Sequence, residues 1–192
     1  MPKLSIIIAS TRPGRFGPTA AAWFSERATA HGGFEVETVD LATLDLPLLD
    51  EPQHPSFGAY TKPHTQAWSA IVDSSDAFVF VLPEYNYSLP ASLKNAVDYL
   101  FAEWAYKPVG FVGYGVLAAG TRAVEATKQV MTALRMMPAS RSVAISLSEH
   151  VDEDGALRPT PEMDDTAEAM LDEILRLSHA LATLREPAGA TT

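Results

Sequence analysis

Residues 77–95 read AFVFVLPEYNYSLPASLKN, and this stretch decides the fold. Ala77 to Leu82 is an unbroken apolar run of strand length, as expected of a strand buried on both faces. Pro83 ends it, and a polar, aromatic loop follows. After Pro90 an i, i+3, i+4, i+7, i+8 stripe (Leu93, Ala96, Val97, Leu100, Phe101) predicts a helix. In an open α/β sheet, ligands bind where the chain leaves the carboxyl end of a strand. The loop Pro83-Glu84-Tyr85-Asn86-Tyr87 offers amides, carbonyls, two phenols and a side-chain amide. That inventory suits a flat heterocycle better than acid–base catalysis.

The same periodicities extend in both directions. A first strand spans Leu4 to Ala9. A helix runs from about Pro18 to His31, with Ala20, Trp23, Phe24 and Ala28 on one face and Gly32-Gly33 as its stop. Phe34 to Asp40 alternates apolar and polar residues, as an edge strand does. Leu41 to Pro63 holds prolines at 47, 52, 55 and 63, and its length predicts a lid or interaction loop. A helix over His64 to Ser74 leads into the central strand. Pro108 to Tyr114 reads as a buried strand, Ala123, Thr127, Val130, Met131 and Leu134 as a helix, and Ser142 to Leu147 as the last strand. Ala167, Met170, Leu171, Ile174, Ser178 and Leu181 mark the final helix.

Five strands alternating with five helices predict a parallel sheet with right-handed crossovers. The expected architecture is α/β, a flavodoxin-like three-layer fold with a five-stranded sheet in order 2-1-3-4-5 and helices on both faces. Residues 1–185 are expected to form a single domain and 186–192 a flexible tail. The switch point of this order lies between strands one and three. It brings Ser10 to Thr19 beside Pro83 to Tyr87.

Composition excludes several classes. The 192 residues carry 14 basic and 24 acidic side chains, a net charge of −10, which argues against nonspecific nucleic-acid binding and against an anionic membrane surface. Cysteine is absent, so disulfides and thiol catalysis are excluded. The five histidines show no metal-ligand spacing. Met1-Pro2-Lys3 runs straight into the first strand, too short a lead for a signal peptide. A cytoplasmic location is expected.

The first loop, Ser10-Thr11-Arg12-Pro13-Gly14-Arg15-Phe16-Gly17-Pro18-Thr19, opens a helix. A helix N-terminus offers unpaired amides and the positive end of the dipole. Three hydroxyls and two guanidiniums join it, so the loop reads as a phosphate-monoester site or, more plainly, as a solvated turn. It is neither GxxxxGK[ST] nor GxGxxG. After the fourth strand, Gly113-Tyr114-Gly115-Val116-Leu117-Ala118-Ala119-Gly120 reads equally as a ligand-facing loop or as a tight turn.

Taken together, STRPGR (10–15), PEYNYSLPASLKNAVDYL (83–100) and YG…GTRA (114–123) resemble the NADPH-dependent FMN reductase family. The resemblance implies noncovalent FMN, with Ser10, Arg12, Arg15 and the Gly17-Pro18-Thr19 amides at the phosphate. Pro83, Glu84, Tyr85, Asn86, Tyr87, Tyr114 and Gly115 would border the ring. It implies NADPH or NADH as reductant, a small-molecule acceptor (free flavin, quinone or azo compound) and a homodimer or homotetramer. No separate catalytic side chain is required, because the flavin carries the hydride. Where the family tends to have glycine or serine, this chain has Ala91, Val116, Ala118 and Ala119. A flavodoxin-like electron carrier with a protein partner is the alternative, and a flavin-free scaffold a third reading.

Overall fold

A computed structural model describes residues 1–185. The expected tail at 186–192 lies outside the described residues. The elements in order are β1 Lys3–Ile8, α1 Gly17–His31, β2 Glu35–Asp40, α2 Leu41–Leu44, α3 Pro63–Asp73, β3 Ala77–Pro83, α4 Ala91–Asp98, β4 Pro108–Gly115, α5 Thr121–Ala133, β5 Met137–Pro138, β6 Val143–Ser146, α6 Leu147–His150 and α7 Pro161–Arg185. Two single 3₁₀ turns, Pro55–Phe57 and Ala102–Trp104, interrupt the connections.

All strand pairs are parallel, in the order β2-β1-β3-β4-β5, with β6 also on β4. Every residue of β3 and β4 is buried. That explains why these two strands show no apolar–polar alternation, whereas β2, on the edge, does. Leu4, Ile6, Ile8, Val79, Val81 and Val112 face α1 and α7. Ile7, Phe78, Phe80, Leu82 and Phe111 face α3, α4 and α5 across a second core centred on Trp68 and Trp104. The strict twofold alternation of side chains produces this division.

Two elements differ from the sequence expectation. The fifth sheet position is filled by two pieces: β5 pairs with Pro108–Val109 and β6 with Val112–Gly115. Between them Ser140 turns away, its backbone N–H and hydroxyl both donating to Glu173 on α7. Pro138 has no N–H to give to the ladder. Helix α4 ends at Asp98, so Leu100 and Phe101 lie beyond it, although Leu100 stays buried.

The long 41–63 connection is fastened down along α4. Asp40 caps α2 by accepting from the Ala42 amide. Asn95 accepts from the Leu49 amide at 2.9 Å and donates to the Pro47 carbonyl at 2.7 Å. The Tyr99 hydroxyl reaches Asp50 at 3.1 Å, and His64 meets the same carboxylate at 2.9 Å. Glu51 accepts from the amides of Thr61 and Lys62 and from the Thr61 hydroxyl. Partial burial works against the Glu51 charge, but these donors outweigh it and hold the carboxyl down at about 2.

Two predictions follow from these staples. Asn95→Ala should cost about 1–2 kcal/mol in urea unfolding and expose 45–62 to limited proteolysis. Because the Glu51 carboxyl titrates lower in the folded state than the ordinary value of about 4.3, its staple is fully present above that pH. It is lost as pH falls toward 2. The protection of the Thr61 and Lys62 amides, taken relative to their intrinsic exchange rates, should fall across that window, and Glu51→Gln should remove that change.

Candidate functional site

Parallel pairing brings three strand-ending loops to one edge. The ladder continues past the strands: the Ala9 amide donates to the Val81 carbonyl, and the Glu84 amide to the Tyr114 carbonyl, both at 2.9 Å. The loops after β1, β3 and β4 are thereby fixed relative to one another.

The loop after β3 is a tight hairpin. Tyr85 and Ser88 exchange both backbone hydrogen bonds, at 3.0 and 3.1 Å. Asn86 and Tyr87 between them have φ of 49° and 67°. Two successive positive φ values belong to a type I′ turn, which asparagine tolerates and tyrosine resists. Such local strain concentrates at ligand sites. The Tyr85 hydroxyl bonds to the buried Ser10 hydroxyl at 2.9 Å, joining the hairpin to the first loop.

The first loop is only partly satisfied. Arg15 is committed through Nη2 to an ion pair with Asp40 at the end of β2. Its Nε is buried with no partner. Arg12 is exposed, with no ion pair among the described residues. The Thr19 amide is engaged by the Phe16 carbonyl, and Pro18 has no amide, so of the expected Gly17-to-Thr19 donors the Gly17 N–H and the Thr19 hydroxyl are left. No side chain caps this end of α1.

The sequence expectation set Tyr114 beside the flat ring; in the structure its side chain lies on the α1 side of the sheet. Alternation along β4 points its side chain to the α1 face, where it packs edge-on against Phe16 with centroids 5.5 Å apart. Its hydroxyl lies under Gly17: a Cβ there would meet it at 3.1 Å and Ile8 at 3.0 Å, so glycine is needed for this approach. The hydroxyl is buried, has the Ser10 hydroxyl beside it and makes no hydrogen bond of good geometry. Burial pushes the phenol well above the usual tyrosine range. Tyr85 reinforces that shift, and Ser10, Arg12 and Arg15 oppose it. It is therefore a neutral O–H donor. Tyr114 Oη at the end of β4 and Arg15 Nε in the first loop are thus two buried donors without an acceptor of good geometry.

The loop after β4 folds tightly on itself. Gly120 has φ of 85°, and a Cβ on it would lie 2.2 Å from the Tyr114 nitrogen, so the tight-turn reading applies at this residue. Ala119, at φ 49°, is held left-handed without being glycine. Val116 and Leu117 consequently project outward, 65% and 80% exposed. With Glu84, Asn86 and Tyr87 they line a cleft of about 510 Å³. No residue of the 41–63 connection lines it. Pro83 is buried at the strand end, and Gly115 packs its backbone beneath the Glu84 Cβ.

Sequence reasoning missed Asp40 and Arg122. Asp40 partners Arg15, and Arg122 on α5 pairs with Glu84 at 3.1 Å. Each lies more than twenty residues from its partner, and local pattern carries no signal of such a pairing.

Known proteins resemble this chain in sequence and fold. An NAD(P)H-dependent FMN reductase of Schizosaccharomyces pombe is 39% identical over 163 residues, covering 84% of this chain and 81% of that protein. A quinone reductase of Pseudomonas putida is 31% identical over 125 residues, 61% of this chain and 62% of its own. The solved structure of FerB, a flavoenzyme NAD(P)H:(acceptor) oxidoreductase from Paracoccus denitrificans, superposes with a TM-score of 0.73 at 18% identity, covering 94% of this chain and 98% of that one; it supports the fold. The family model for NADPH-dependent FMN reductase matches residues 2–150. That span contains all three loops of the site, and the chain belongs to the NADPH-dependent FMN reductase family.

Proposed function

We propose that this chain is an NAD(P)H-dependent reductase that holds FMN noncovalently and passes electrons to a small-molecule acceptor such as a quinone. The observation that carries the reading is the pair of unsatisfied buried donors, Tyr114 Oη and Arg15 Nε, beside an uncapped helix N-terminus. A phosphate monoester supplies the acceptors they lack. Ser10, Arg12, Arg15, Gly17, Pro18 and Thr19 would hold that phosphate, with Tyr114 as an added donor. Pro83 to Tyr87 and Gly115 would border the ring in the adjoining cleft.

The residues fit FMN by charge and by shape. Arg12 brings a guanidinium that no described carboxylate neutralises, while Arg15 is shared with Asp40 and acts chiefly to hold the loop against β2. The exposed apolar surfaces of Tyr87, Val116 and Leu117 would shed water on covering a planar ring. When bound, FMN supplies the two-electron chemistry, accepting hydride from a nicotinamide and reducing the acceptor. The chain's part is to orient two flat partners and exclude water. Both oxygens of Glu84 are occupied by Arg122, so this carboxylate acts as an anchor and not as a proton donor.

Membership among reductases favours this reading over an electron carrier. Among the described residues no helix is long and apolar enough to cross a membrane. We read the protein as a cytoplasmic homodimer or homotetramer, in keeping with the family resemblance.

The test is reconstitution. Apoprotein titrated with FMN should quench flavin fluorescence at one site per chain, and the loaded protein should oxidise NADPH or NADH when a quinone is present. Binding without oxidation would support the carrier. Arg12→Ala should weaken FMN about tenfold through loss of a charge-assisted contact. Tyr114→Phe removes a buried hydroxyl that has no hydrogen bond of good geometry. It should leave apoprotein stability within about 1 kcal/mol of the parent, or raise it, while weakening FMN several-fold.

A further inference from the structure

Glu84 sits at the point where β3 becomes the hairpin, and its side chain is only 8% exposed. A nearly buried carboxylate needs donors. It receives two, both from Arg122: the backbone N–H at 3.1 Å and guanidinium Nη1 at 3.1 Å. The first of these is an end-of-helix amide. Helix α5 has glycine at its N-cap, no side-chain cap and no acidic residue in its first turn. Glu84, from another strand, does what a capping carboxylate would do, and it faces the positive end of the helix dipole. The second bond fixes the guanidinium, which lies over the Tyr87 ring at 4.2 Å from its centroid. Cap, ion pair and cation–π contact thus form one chain of contacts from β3 through α5 back to the hairpin tip.

Tyr87 has reason to need such support. Its backbone is in the left-handed region, the residue is 63% exposed, and it lines the cleft together with Val116 and Leu117. An exposed ring on a strained two-residue turn would sample many positions unless something held its face. We propose that Glu84 and Arg122 are positioning residues for hydride transfer: they hold the Tyr87 ring as a rigid wall of the cleft and so set how the nicotinamide donor is seated. Arginine is required over lysine, because one planar group must fork to the carboxylate and lie flat on the phenol ring at once. The inference rests on the cleft being the redox site as read under Proposed function.

Four single variants, one double variant and three readouts test it. Glu84→Gln keeps an acceptor for the Arg122 amide and removes the charge, Arg122→Met keeps bulk without the cation, and Tyr87→Leu and Tyr87→Phe remove or keep the ring. The readouts are the melting temperature of the apoprotein, its FMN affinity by fluorescence quenching, and KM and kcat for NADH with FMN and a quinone both saturating. Glu84→Gln, Arg122→Met and Tyr87→Leu should each raise KM for NADH by about 3- to 10-fold, the range of a partly desolvated cation–π contact. Because Glu84 and Tyr87 would also border the flavin ring, KM is read with FMN saturating, which separates lost flavin contacts from the seating of NADH. Tyr87→Phe should recover most of what Tyr87→Leu loses. The Arg122→Met/Tyr87→Leu double variant should be no worse than the poorer single one, because both break the same contact.

An unchanged KM in protein that still binds FMN would overturn the inference alone, as would strictly additive losses. A fall in melting temperature and FMN affinity with no change in KM would reduce these residues to packing and overturn it too. A parent protein that takes up no FMN would overturn both this inference and the flavin site.

Discussion

The parallel register around β3 is the constraint on which the rest of the structure depends. Leu4 to Ile8 of β1 lie against Ala77 to Val81, and Phe78 to Pro83 lie against Val109 to Tyr114. Because all three strands run the same way, their carboxyl ends finish at one edge, and every loop that leaves there starts within side-chain reach of the others. A one-residue slip of β4 would turn Tyr114 to the α5 face and put a glycine under α1. The donor beneath Gly17 would be lost, and so would the support under Glu84. The buried faces forbid that slip, since Phe111 and Val112 of β4 would have to exchange cores.

Four buried side-chain polar atoms lack a partner among the described residues, and two of them, Tyr114 Oη and Arg15 Nε, lie at or beside the first loop. Buried polar groups in folded proteins normally find partners, and leaving one without costs about 1–3 kcal/mol. These two have an uncapped helix end and an uncommitted arginine beside them. The hairpin is handled in the opposite way. Its backbone is strained, yet its side chains are tied: Tyr85 to Ser10, and Tyr87 through Arg122 to Glu84. One loop keeps buried donors without partners, and the other is tied through its side chains.

The 41–63 connection shows how a long loop with four prolines can be ordered without regular structure. Its staples are side chains of α3 and α4 and of its own flanks, with Asn95 and Tyr99 supplying the α4 contacts. Asn95 closes the stretch 83–95 that begins at the hairpin. A single segment therefore carries the cleft wall at one end and the anchor of the long connection at the other.

The strands, helices and strand order were legible because they follow from repeated local patterns: the apolar run at Ala77 to Leu82, the alternation in Glu35 to Asp40, the stripe at Leu93 to Val97. The chemistry of the three loops was legible for the same reason, since Ser10, Arg12, Tyr85 and Asn86 are polar groups placed where an α/β sheet gathers ligands. The split of the last strand was not. Two residues at Met137-Pro138 are too few to show a period, and the Glu173 carboxylate that draws Ser140 aside lies on a helix thirty-three residues away. Nor was the side of the sheet on which Tyr114 acts, or the pairing of Arg15 with Asp40 and of Glu84 with Arg122. Sequence by itself determined which elements form and which residue types stand at the carboxyl edge, because backbone geometry and burial are periodic in the chain. Only the tertiary structure decided which of those residues are spent on one another and which remain free for a ligand, because ion pairs and buried donors are settled by contacts between segments that the chain keeps far apart.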